Sequence, residues 1–158
     1  MKGKHYAAAA ILACICGSSA VNAQAIPNRL SGIKSLKCEF SASAVGKWQK
    51  GEAVSQAKSG GLLSFSIDRI DTDDGSARFI GIAAPPADIL AQLRGWVVHF
   101  VDARPDGGLN VTTVFSQESR DRKLKAVYMR TSYLPIDLPG FQAEPEVAQY
   151  YGECEAGR

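Results

Sequence analysis

The chain has 158 residues, 46% of them hydrophobic, a length that suits a single domain of ordinary size. Neither an internal repeat nor a composition break suggests a second domain. Its 18 basic and 16 acidic residues form no basic tract of the kind that follows a phosphate backbone, which speaks against a nucleic-acid partner.

The first 25 residues read as an export leader rather than as part of the fold. Lys2 and Lys4 precede the apolar run Ala7–Ile15, and small residues follow at Val21-Asn22-Ala23 and Ala23-Gln24-Ala25. A short positive start, a short apolar run and a small-residue cleavage pattern make a secretory signal, and such a run is too short to anchor in a bilayer. Cys14 and Cys16 admit a rival lipoprotein leader, against which stand bulky Leu12 and the Ile15 directly before Cys16. With Lys2 and Lys4 gone the remainder is formally neutral, and residues 26–158 are expected to form one exported domain in the periplasm or outside the cell.

Two cysteines remain, Cys38 and Cys154, at opposite ends of that domain. In an oxidising compartment they most simply pair. The bridge would tie the first strand to the last.

Taken in chain order, the domain reads as strands. "LKCEFSAS" sets Leu36, Cys38 and Phe40 on one face against Lys37, Glu39 and Ser41, and "LLSFSID" repeats the period with Leu63, Phe65 and Ile67. "SARFIGI", "WVVHFVD", "LNVTTVFS", "LKAVYMRTS" and "AQYYGECE" continue in the same β-branched and aromatic style. Turn chemistry separates them: Asp74-Gly75, Pro85-Pro86, Arg94-Gly95 and Asp106-Gly107-Gly108. "PPADILAQL" fits a short helix and a strand equally. Residues 44–61 show little alternation and suggest a weak edge strand with a long loop. Residues 133–149, with Pro135, Pro139 and Pro145, suggest a long connection or flap. The pattern predicts an all-β domain, a small antiparallel barrel or sandwich of about seven to eight strands tied by one disulfide.

Chemistry is sparse. Asp71-Thr72-Asp73-Asp74-Gly75 opens like a calcium loop, yet glycine stands at its fifth position and Ile82 where a glutamate should close it. An Asp-Gly turn joining two strands is the simpler reading, and no metal or other cofactor is expected. After the leader His99 is the one histidine, and no nucleophile elbow or phosphate-cradling loop is present, so no catalytic residue is assigned. The expected function is a non-catalytic envelope or secreted binding module for a protein or small ligand. Trp48, Tyr150 and Tyr151 are candidate contact residues, because aromatics combine apolar area with a polar handle. An enzyme using His99 is the remotest alternative.

Two resemblances accompany these readings. A Lys-Cys pair near the start, "LNVTTVF", "KAVYMR" and the ending "QYYGEC" together resemble small exported bacterial β-domain proteins, a likeness that carries no function with it. "GSARF", residues 75–79, is similar to the Ser-Gly-x-x-Tyr loop of membrane-bound and periplasmic C-type lysozyme inhibitors. That resemblance implies a small disulfide-bearing barrel that inserts Ser76 and Arg78 into a hydrolase cleft. Here Ser76 lacks the following glycine, and Phe79 replaces the tyrosine.

Overall fold

The computed structural model describes residues 28–82, 85–133 and 144–157. The expected leader over 1–25 lies outside the described residues, as do 134–143 of the proline-rich segment. Eight antiparallel strands follow one another: β1 Leu36–Gln49, β2 Glu52–Asp71, β3 Ser76–Ile80, β4 Ala87–Arg94, β5 Val97–Ala103, β6 Leu109–Glu118, β7 Leu124–Ser132 and β8 Glu146–Ala156. Each pairs with the next, and β1 also pairs with β8, so the single sheet closes on itself. Of the two expected all-β architectures, the barrel is the one formed. No helix occurs among the described residues, and therefore none long and apolar enough to cross a membrane.

Alternation builds the interior. Leu36, Cys38 and Phe40 of β1, Phe65 and Ile67 of β2, and Val98 and Phe100 of β5 are all buried. Between them stand small inward residues, Ala77, Ala91, Ala126 and Ala148, which leave room for the rings. Phe65 packs on Phe40, Phe79 and Tyr128 with ring centroids 5.3, 4.8 and 5.1 Å away, and Tyr128 continues the chain of rings to Tyr150 at 5.7 Å. A bulge in β2, where Arg69 takes a positive φ of 51°, turns both Ile67 and Ile70 into the core.

One end of the barrel is plugged. Leu30 is buried to 1% beneath the strands. Asn28 holds the plug: its Oδ1 accepts from the Leu30 amide, and its Nδ2 donates to the Gly95 carbonyl in the β4–β5 turn. The disulfide Cys38–Cys154 lies toward this end, between directly opposed residues of β1 and β8, and closes a separation of 116 residues. The expected bridge is present.

Two segments differ from the sequence reading, and a third, which fitted helix and strand equally, is a strand. "PPADILAQL" contributes strand β4, because Ile89 and Ala91 alternate into the core and its partners β3 and β5 flank it. Residues 44–61 are no loop: they complete β1 and begin β2, joined by the two-residue turn Lys50-Gly51 with φ of 54° and 82°. Both central residues at positive φ make a type I′ turn, which matches the twist of its strands. Its strands show no apolar alternation because residues 47–62 are exposed on both faces. Finally, residues 146–149 belong to β8 rather than to a flap.

Candidate functional site

The strands carry the chain away from the plugged end toward a mouth formed by the β1–β2 hairpin, the start of β4, the β5–β6 turn, the end of β7 and the start of β8. Near the plug, inward positions are apolar. Toward the mouth the same faces change character: Phe100 is followed by Asp102, Thr112 by Asn110, and Tyr128 by Arg130. The period of two that builds the core therefore lines the mouth with polar groups.

A half-open cavity of ≈ 510 Å³ lies there, bounded by Arg104, Asp106, Asn110, Tyr128 and Arg130, with Thr131 and Tyr133 at its rim. Its wall holds Asn110, 7% exposed. Asn110 Nδ2 donates to Asp102 Oδ2 at 2.8 Å, while Asn110 Oδ1 is buried and has no hydrogen-bond partner among the described residues. A buried acceptor left unpaired costs roughly 1–3 kcal/mol, so such an atom beside a cavity marks a place where a donor belongs. Burial pushes the Tyr128 phenol above its ordinary range, and the charges of Asp102 and Tyr150 add to the rise while Arg130 and Arg104 oppose it. Tyr128 is thus a neutral hydroxyl at neutral pH, able to donate or accept. Arg104 and Arg130 are half exposed, each loosely attended by a carboxylate, Asp106 at 3.6 Å and Glu146 at 3.9 Å. Contacts this long leave both guanidinium groups donors to spare.

The residues singled out from the sequence are scattered by the fold. Tyr150 points inward and belongs to the ring chain below the mouth. Trp48 stands near the tip of the β1–β2 hairpin, 44% exposed. Tyr151 faces outward on β8, where its hydroxyl donates to Gln149 Oε1. It borders a shallow outer groove with Phe115, Lys125 and Gly152. Ser76 and Arg78 lie on β3, Ser76 exposed beside the turn at the plugged end and Arg78 on the outer wall. Trp96, which opens the predicted strand "WVVHFVD", is 55% exposed because it occupies the β4–β5 turn instead. Of the five candidate contact residues only Tyr150 neighbours the cavity.

The acidic stretch is a turn. Asp71 Oδ1 accepts from the amides of Asp73 and Asp74 at 3.0 Å, and Asp71 pairs with Ser76 across the β2–β3 hairpin. These bonds hold its carboxyl below the usual aspartate range. Among the described residues no group of three or more His, Cys, Asp or Glu is placed to hold a metal ion. His99 sits on the outer wall of β5, its Nδ1 2.9 Å from Thr113 Oγ1.

Arg78 is engaged by Asp68 in a bidentate pair, Nε to Oδ1 at 2.8 Å and a terminal nitrogen to Oδ2 at 2.6 Å. The hydrogen bonds from Arg78, with its charge, hold the Asp68 carboxyl below the ordinary 3.8. A lowered folded-state pKa contributes stability that is present above the unfolded value and lost as pH falls through the folded one. Asp68→Asn is therefore expected to flatten the acid limb of a Tm-against-pH curve below about pH 4, with little change at pH 7 beyond the lost pair. An unchanged acid limb would contradict the pairing.

Comparison with models of known protein families, with curated proteins and with solved structures finds no match to this chain, so the mouth must be interpreted from its own chemistry.

Proposed function

We propose that the protein is an exported, non-catalytic binding domain that takes a small polar ligand in the mouth of its barrel. The observation that carries this reading is the unpaired, buried Oδ1 of Asn110 at the wall of a ≈ 510 Å³ cavity rimmed by Arg104 and Arg130. A barrel plugged at one end and polar at the other suits a cup, and ligand sites in small barrels commonly occupy such mouths. The disulfide and the leader-like start support export.

The ligand that fits carries both a donor and an acid. An N–H or O–H group would satisfy Asn110 Oδ1, and a carboxylate would engage the two arginines. Amino acids, short peptides and hydroxy acids have this chemistry and the size. Thermal unfolding across a panel of such compounds is expected to find one that raises Tm. A ligand at a hundred times its Kd adds about 2.7 kcal/mol to stability. Asn110→Leu should abolish the shift, and Arg130→Gln should weaken binding about tenfold, the loss of one charge-assisted bond. A response that survives both substitutions, or a panel without any response, would overturn the reading.

The lysozyme-inhibitor alternative asks Arg78 to leave Asp68 and enter a cleft. No observation favours that over the mouth.

A further inference from the structure

Closure of the barrel is incomplete at one place. β2 runs for 20 residues, but β3 runs for 5 and pairs with β2 only at Ser66 and beyond. From Glu52 to Ser59, β2 is bonded to β1 on one side, and no described strand lies on the other. The stretch is regular, ending at a register shift where Gly60 and Gly61 take positive φ. A regular exposed strand edge is a template for a further strand.

We infer that this edge pairs with the same edge of a second copy of the chain, antiparallel about a two-fold axis through Ser55. The backbone sets the first condition. In a hairpin with a two-residue turn the flanking pair, Gln49 and Glu52, exchanges hydrogen bonds. The next residue in β2 then points its N–H and C=O away, and the alternation continues, so Ala53, Ser55 and Ala57 present theirs to the free edge. An axis through Ser55 sets Ser55 against Ser55 and Ala53 against Ala57 of the second copy, with every outward group facing another.

Charge sets the second condition. Glu52 and Lys58 face Gln49 and Ser43 within the hairpin, and neither makes an ion pair among the described residues. The axis through Ser55 places each Glu52 opposite Lys58 of the other copy, twice per dimer. A register two residues away would instead set Lys58 against Lys50. Among registers that keep the outward backbone groups opposed, only this one opposes the two unpaired charges. Opposite charges directly across a ladder stabilise it and like charges destabilise it. The interface is small, so the dimer is weak and concentration-dependent. The inference is independent of the ligand proposed for the mouth.

Sedimentation equilibrium of the oxidised protein is expected to show a monomer–dimer equilibrium. Ser55→Pro removes an outward N–H but no bond to β1, and should leave a folded monomer, with near-ultraviolet circular dichroism as the check on folding. Glu52→Lys and Lys58→Glu should each weaken dimerisation about tenfold, and the double reversal should restore it. A protein monomeric at every concentration reached, or a dimer indifferent to Ser55→Pro and to both single reversals, would overturn the inference.

Discussion

Replacing Cys38 and Cys154 together by alanine is expected to lower the stability to urea unfolding by about 4–5 kcal/mol, a large share of the roughly 5–15 kcal/mol of a domain this size. The bridge joins residues 116 apart in sequence that are opposite in register on β1 and β8. Those are the strands whose pairing closes the barrel, and they come from the two ends of the described chain. Without the bridge the unfolded chain recovers the freedom of that long loop, and the closing pair must form against it. A loss below about 1 kcal/mol would mean that the denatured chain already holds these ends together.

Gly152→Ala is expected to cost at least about 3 kcal/mol, at the upper end for inserting one methyl group into a packed place. A Cβ built on Gly152 would stand 2.0 Å from the Glu39 carbonyl oxygen and 2.6 Å from Phe40 Cα. Both obstacles are backbone, so no side chain can swing aside. The crowding arises at the bulge between Phe40 and Ala42, where β1 carries one more residue than its partner and bends toward β8. Gly46, in the same pair of strands, is the control: the nearest atom to its added Cβ is the Val147 carbonyl oxygen at 3.9 Å. Gly46→Ala should change stability by no more than about 0.5 kcal/mol. Equal effects at the two glycines, read from urea midpoints, would contradict the close approach.

Much of the fold was legible because a half-buried strand shows its faces in the sequence. The alternations Leu36-Cys38-Phe40 and Phe65-Ile67 mark inward residues, and the terminal cysteines announce which strands meet. The β1–β2 hairpin was not legible, since exposure on both faces erases the apolar period that betrays a strand. Lys50-Gly51 is also a less familiar turn signal than Asn-Gly or Asp-Gly. β4 was ambiguous because Ile89, Leu90 and Leu93 satisfy a helical face as readily as a strand, and only the flanking strands decide between them.

The cavity is not legible in the sequence for a different reason. Aromatic residues drew attention to Trp48 and Tyr151, which lie on the exterior, whereas the mouth is built from Asp102, Asn110 and Arg130 at the ends of three strands. One signal was present. On each of these strands the inward series turns polar in the positions nearest the mouth, the last ones of β5 and β7 and the first ones of β6. That coincidence is visible only once the register places Asp102 beside Asn110 and Asn110 beside Arg130.

The most direct test of the mouth as the binding site is a 15N-resolved NMR titration of the oxidised protein with the compound that raises Tm most. The account predicts perturbations concentrated in Arg104–Asn110 and Tyr128–Tyr133, including the Asn110 side-chain amide, with Ser76–Arg78 and Tyr151 unmoved. Perturbations centred on Ser76–Arg78 or on the outer groove beside Tyr151, with the Asn110 amide unchanged, would contradict it.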